Sequence, residues 1–317
     1  MKSLFLSSLL ALGLLAVPAQ AAEYPAKPIT LMTAFNAGGG SDVSHRLLEK
    51  FAKGVFDQPI VVTYKAGAGG EIGWTWLVGA KADGYTIGGV DLPHIVLQPM
   101  LRPEGQPGYK TEQLSPLCGL VYDANVVMVP EDGPYKTFKD LIEYAKANPG
   151  KVKVATVGKL TGDHLFLMQI EKLTGAQFTQ VPYSGSGKAI PALLSGEVDA
   201  YFGSGSSFLR MEKTRGLAIG SKERYELCPD VPTFIEQGYA IESGKYRGLA
   251  TPQNIPAEAR QYLETKFAEL CANPEYQKAV KSSGLMPQFQ TGKAFGEIIR
   301  TEGEQAQKIL EAYGLLK

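Results

Sequence analysis

Four short segments of this 317-residue chain concentrate glycine and small hydroxyl residues. They are Asn36-Ala37-Gly38-Gly39-Gly40-Ser41-Asp42, Ala66-Gly67-Ala68-Gly69-Gly70, Gly158-Lys159-Leu160-Thr161-Gly162 and Tyr183-Ser184-Gly185-Ser186-Gly187. Each lies where a β-rich run gives way to a helical one. Glycine there lets the backbone come close to a ligand, and the following helix offers unpaired N–H groups with a partial positive charge. The chemistry on offer is recognition of an anion, a carboxylate above all. One helix terminus is worth about 0.3–1 kcal/mol to an anion, and up to about 2 kcal/mol when partly buried. Several converging termini can therefore hold a carboxylate without an arginine, and none of the four turns contains one. A single such turn is most simply a tight turn; two in each half of the chain point to a binding cleft.

Catalytic patterns are not met, and no catalytic residue is assigned. Ile72 stands where the dinucleotide fingerprint beginning at Gly67 needs its last glycine, and Gly187-Lys188-Ala189 lacks the Ser or Thr of a P-loop. Ser184, Ser186, Ser204 and Ser206 never fall in G-x-S-x-G. His45, His94 and His164 are isolated from one another and fit no metal-ligand spacing, so neither metal nor cofactor is expected. His164 is the histidine to watch, because it falls in the first turn of a helix close to Thr161.

The elements that must position these turns alternate. Ile29 to Phe35 reads as a strand, Asp42 to Phe56 as a helix and Ile60 to Lys65 as a strand. A helix begins near Glu71, and Tyr85 to Val90 is a third strand. The second half repeats the scheme, with helices over Thr137–Ala147, Asp163–Leu173 and Lys188–Leu194. Its strands are Val152–Val157, Phe178–Val181 and Val198–Phe202. Such alternation predicts βαβ units in an α/β fold with two mainly parallel sheets. Ala257–Cys271, Pro274–Ser282 and Ala294–Tyr313 read as C-terminal helices. No low-complexity linker exists, so ordered segments near Asn125–Pro130 and Lys245–Pro252 are expected to cross between two lobes. This divides the chain into lobe 1 (22–125 plus 248–317) and lobe 2 (126–247). Trp74 and Trp76 are expected to pack inside the first lobe.

The N-terminus decides the compartment. Lys2 is followed by an apolar run from Leu4 to Val17, then Pro18 and Ala19-Gln20-Ala21. That order reads as a cleaved signal peptide over residues 1–21, since the run is shorter than the roughly 20 residues a membrane span needs. Removal of Lys2 moves the net charge from zero to minus one, which gives no electrostatic case for nucleic acid or anionic membrane. Cys118, Cys228 and Cys271 are an odd number in an oxidising compartment. Buried free thiols are the simplest expectation for them.

Several pieces, weak singly but specific in order and spacing, resemble the periplasmic receptors of tripartite tricarboxylate transporters, the Bug family. They are Tyr24-Pro25-Ala26-Lys27-Pro28-Ile29, Gly38-Gly39 with Asp42, Gly67-Ala68-Gly69-Gly70 with Ile72-Gly73, and Asp83-Gly84-Tyr85-Thr86. Farther on come Asp140-Leu141-Ile142, Asn148-Pro149-Gly150, Val181-Pro182-Tyr183, Gly196-Glu197-Val198-Asp199 and Asp230-Val231-Pro232-Thr233. The resemblance covers nearly all of the mature chain. It implies a two-lobed Venus-flytrap fold, no catalysis, a small carboxylate ligand, and delivery to large and small integral-membrane permease components. It also implies a periplasmic, monomeric protein that is not itself embedded in the membrane.

In that family the first two glycine-rich loops grip a ligand carboxylate and the second lobe closes over it. The candidate ligand-binding residues are therefore Phe35, Ala37, Gly38, Gly39, Ala68 and Gly69 in lobe 1. Thr161, His164, Ser184 and Ser186 approach from lobe 2. The chain departs from the family at Asn36-Ala37, where two prolines are usual, and at Leu160-Thr161, where glycine and serine are usual. It departs again at Asp91-Leu92-Pro93-His94, where small polar residues are usual. Asp91 carries two readings: a cap for a helix beginning near Pro93, or a carboxylate facing the pocket that would disfavour a multiply charged acid.

Overall fold

The computed structural model describes residues 24–102, 108–159 and 161–316. The signal segment and Leu160 lie outside these residues. Strands and helices alternate from the start: β1 (Ile29–Thr33), α1 (Gly40–Ala52), β2 (Ile60–Tyr64), α2 (Glu71–Val78), β3 (Thr86–Asp91) and α3 (His94–Leu101). The long strand β4 (Leu114–Pro130) leads to α4 (Phe138–Ala147), β5 (Lys153–Val157), α5 (Gly162–Thr174), β6 (Thr179–Tyr183), α6 (Ser186–Leu194) and β7 (Ala200–Ser204). After α7 (Gly205–Phe208) and β8 (Thr214–Ile219) come β9 (Gly244–Pro252), α8 (Ala257–Ala272), α9 (Pro274–Ser282), β10 (Met286–Thr291) and α10 (Gly292–Ala312).

The helix boundaries follow local chemistry. Thr137 and Asp140 close a capping box on α4: Thr137 Oγ1 accepts from the Asp140 N–H at 3.1 Å, and Asp140 Oδ2 accepts from the Thr137 N–H at 2.8 Å. Gly175 ends α5 with φ +73°, donating its N–H to the Glu171 carbonyl at 2.7 Å.

The α/β class read from sequence is what the structure shows, but the sheets are mixed rather than mainly parallel. Strands joined by helices are parallel: β1 with β2 and β3, and β5 with β6 and β7. The strands that carry the chain between sheets add antiparallel pairs. β4 runs against β9 over Leu114–Ala124, then against β7 and β8 from Asn125 to Pro130. Lys245–Pro252 is likewise no bare crossover. It is strand β9, paired with β3 on one side and β4 on the other. Chain passages meet in a small hydrogen-bonded ring: Asn125 N–H to Ser243 O (2.8 Å), Ser243 N–H to Gly220 O (2.9 Å) and Gly220 N–H to Asn125 O (2.8 Å).

Apolar residues fill both faces of each sheet. Ile29, Leu31, Leu48, Leu263 and Phe267 pack β1 under α1 and α8, while Met32, Trp74, Leu97, Phe295 and Leu310 pack its other face under α2, α3 and α10. In the second sheet, Phe138, Phe166, Ile170 and Phe202 fill one face and Ala155, Ala189, Leu193 and Tyr201 the other. Trp74 is buried and donates Nε1–H to the Gly89 carbonyl at 3.0 Å. Trp76 does not join it: it is 38% exposed on the outer face of α2, with Lys65 Nζ 5.3 Å from its ring centre. All three cysteines are buried free thiols. Among the described residues no helix is long and apolar enough to cross a membrane.

Candidate functional site

The carboxyl end of β1 turns through Gly38, whose φ of +85° favours glycine, and its N–H donates to Asp42 Oδ2 at 2.8 Å. Gly39 then occupies the N-cap of α1 without a side-chain cap. On the second sheet, β6 ends at Tyr183, and Gly185 occupies the N-cap of α6, again without a side-chain cap. These two turns face each other. Asn36 Nδ2 donates to Ser184 Oγ at 2.8 Å. A Cβ placed on Gly39 would stand 3.2 Å from Ser186 Oγ, and one on Gly187 would stand 2.9 Å from the Ala37 carbonyl oxygen. Behind the turns lies a small cavity of about 30 Å³, open in part to solvent, which both N-termini line.

Its floor is charged. Arg247 and Lys245 lie two apart on β9 and so share a face. Cross-strand register sets Asp91 of β3 opposite Arg247, and Asp123 of β4 opposite Lys245. Arg247 Nε lies 3.0 Å from Asp91 Oδ1, and its Nη1 lies 2.6 Å from Asp123 Oδ2. Ser41 Oγ donates to Asp91 Oδ1 at 2.7 Å, while the Ser206 N–H and Oγ donate to Asp123 at 2.9 and 2.5 Å. Lys245 Nζ reaches Asn125 Oδ1 at 2.6 Å and Asp163 Oδ1 at 2.7 Å. Asp163 belongs to α5, so these ion pairs tie the two sheets together.

These five charged side chains are buried, which makes their pairing obligatory. Burial works against ionising Asp123, but Arg247, Lys245 and the Ser206 hydrogen bonds overcome it and hold its pKa below the ordinary value. At Asp91 burial outweighs Arg247 and Ser41, and the pKa is raised. Burial, then Lys245 and Arg247, push His94 well below the usual histidine value, so this cavity residue is neutral near pH 7.

Of the residues expected from sequence, Phe35, Gly39, Asp91 and Ser186 line the cavity. Asp91 is not a helix cap: the N-cap position of α3 is Pro93, with no side-chain cap hydrogen bond. Ala37, Gly38 and Ser184 form the exposed rim where the two turns touch. Ala68, Gly69, Thr161 and His164 stand outside the cavity lining. A Cβ on Gly69 would lie 2.6 Å from Gln98 Nε2 and 3.1 Å from Thr161 Cγ2, so side chains intervene. Thr161 turns its Oγ1 to the Val157 carbonyl at 2.7 Å, and half-buried His164 has a pKa lowered by burial and then by Lys159. Residues not expected from sequence also line the cavity, among them Arg247, Lys245, His94, Tyr201 and Ser204.

Two lobes of mixed sheet and a cleft at strand ends, flanked by opposed helix N-termini, define a solute-binding protein of the periplasmic type. The profile described as tripartite tricarboxylate transporter family receptor matches residues 45–315, and the chain belongs to that family. It is 35% identical to Protein BugT of Bordetella pertussis, covering 87% of this chain and 86% of that protein. It is 30% identical to the UPF0065 protein in gbd 5'region of Cupriavidus necator, covering 97% and 94%. The solved structure of periplasmic binding protein BugD superposes with a TM-score of 0.85 at 26% identity, covering 93% of this chain and all of that one. The family and the fold are those of solute-binding receptors, not of enzymes.

Proposed function

We propose that this receptor captures one small carboxylate-bearing molecule in the cavity between α1 and α6 and releases it to a membrane permease with large and small integral-membrane components. The observation that carries the reading is the pair of uncapped helix N-termini, Gly39 and Gly185, opening on one cavity from opposite sheets. Each brings free N–H groups and a partial positive charge to the same point. Two Rhodopseudomonas palustris proteins of this fold have been solved with adipate and with malate, which accords with a carboxylate as cargo. Gly38, Gly39 and Phe35 hold the ligand from the first lobe and Ser186 from the second. Ala37 and Ser184 seal the rim, and the loops carrying Ala68, Gly69, Thr161 and His164 support the closed contact from outside.

In this reading the lobes are residues 22–125 with 248–317, and residues 126–247. They close by bending at the hydrogen-bonded ring of Asn125, Gly220 and Ser243, a hinge of a few residues. Export through cleavage of residues 1–21 places the monomer in the periplasm. Isothermal titration of protein stripped of bound solute tests the function. Succinate, malate, adipate and glutamate are the probes. Saturable binding of one molecule per chain, with the acid recovered unchanged, is expected. Chemical conversion of the acid would favour an enzyme, and the absence of binding to every acid would contradict the reading.

A further inference from the structure

Asp91 is held through one oxygen. Ser41 Oγ and Arg247 Nε both engage Oδ1, at 2.7 and 3.0 Å, and among the described residues no donor reaches Oδ2. His94, only 2% exposed, lines the same cavity with its Nδ1 unpartnered. An unpartnered buried polar atom is costly unless a ligand completes it.

The buried charges around the cavity also do not balance. Asp91, Asp123 and Asp163 face Arg247 and Lys245, three carboxylates to two cations. Arg247 is shared between Asp91 and Asp123, and Lys245 is taken by Asp163 and Asn125. His94 adds no positive charge, since burial and the two neighbouring cations keep it neutral. A second acidic group on the ligand would bring a fourth negative charge into this low-dielectric floor. An ammonium would do the reverse. It carries donors only; Asp91 Oδ2 is an acceptor without a donor, and neutral His94 offers a second at Nδ1 when its proton sits on Nε2.

We propose that the ligand is an amino acid whose ammonium group is received by Asp91 Oδ2, with His94 Nδ1 as a second acceptor. This rests on the carboxylate-binding reading above and narrows it. A hydroxy acid could donate one hydrogen bond to Asp91 but would leave the charge imbalance in place.

The test is calorimetric titration with matched pairs: aspartate against succinate, glutamate against glutarate, and leucine against 4-methylpentanoate, with malate as the hydroxyl-bearing control. Wild-type protein is expected to prefer the amino acid of at least one pair by about tenfold or more, the scale of one charged hydrogen bond. Asp91→Asn should reduce that preference by about tenfold. Tighter binding of the deaminated acids or of malate overturns the proposal, as does an unchanged preference in Asp91→Asn. The wild-type preference alone decides if that variant does not fold. If dicarboxylates bind and amino acids do not, this inference fails while carboxylate capture stands. If neither class binds, both fail.

Discussion

Gly39 and Ser186 meet across the mouth of the cavity so closely that the Cβ of any other residue at position 39 would stand 3.2 Å from the Ser186 hydroxyl. The backbone of Gly39 is extended, with φ −83° and ψ 172°, so an L-residue fits there without strain. What glycine supplies is therefore proximity between two helix N-termini on different sheets, not conformational freedom.

Gly39→Ala follows directly from that geometry. Unfolding by urea should be changed by less than about 1 kcal/mol, because backbone and core are untouched. Affinity for the ligand should fall by roughly tenfold, since the added methyl holds the two N-termini apart at the point of closest approach. Unchanged affinity in a folded variant would remove Gly39 from the site.

The charged floor predicts a stability effect. Arg247→Met leaves Asp91 and Asp123 buried beside Lys245 as the remaining cation. Removing one partner of a buried ion pair costs roughly 3–5 kcal/mol. Urea unfolding near pH 7.5 should show a loss of that order. The further changes Asp91→Asn and Asp123→Asn should restore part of it by removing the stranded charges. A loss below about 1 kcal/mol would mean that the network relaxes or hydrates.

His45 gives the pH dependence. Its ring is buried against Gly89, with Nδ1 2.7 Å from Thr33 Oγ1. Burial first, and Arg247 second, lower its pKa from 6.5 to about 4, partly opposed by Asp42. Because the unfolded chain takes up the proton first as pH falls, the stability that neutral His45 contributes is complete above about pH 6.5. It is lost progressively as pH falls toward 4. The shift corresponds to about 3 kcal/mol at most. Between pH 7 and 4.5 the wild-type protein should lose about 2–3 kcal/mol more than His45→Gln. Parallel stability curves for the two proteins would show that His45 does not titrate in this way.

What the sequence made legible was local chemistry. The turn at Gly38 and Gly39 and the helix over Thr137–Ala147 are written in neighbouring residues, and the structure has them where expected, the helix as α4. Arg247 and Lys245 were not legible, because an arginine and a lysine two apart on a strand ordinarily face solvent. Only the pairing of β9 between β3 and β4 buries them against Asp91 and Asp123. The loop of Ala68 and Gly69 was legible in its composition but not in its neighbours. Its composition suits ligand contact, yet the side chains of Gln98 and Thr161, distant in sequence, stand against it. Asp91 likewise finds its partner in Arg247, far from it in sequence, while Pro93 takes the N-cap of α3.

If two opposed helix N-termini hold a carboxylate in the cavity between the sheets, its negative charge must carry much of the affinity. The most direct measurement is calorimetric titration of the solute-free protein with its preferred acid and with the carboxamide of that acid, which has the same shape but no negative charge. Saturable binding of one acid molecule per chain is expected, with a loss of roughly tenfold or more for the amide, the scale of charge-assisted N–H contacts at helix termini. Equal affinity for acid and amide, or no binding of any carboxylic acid, would contradict it.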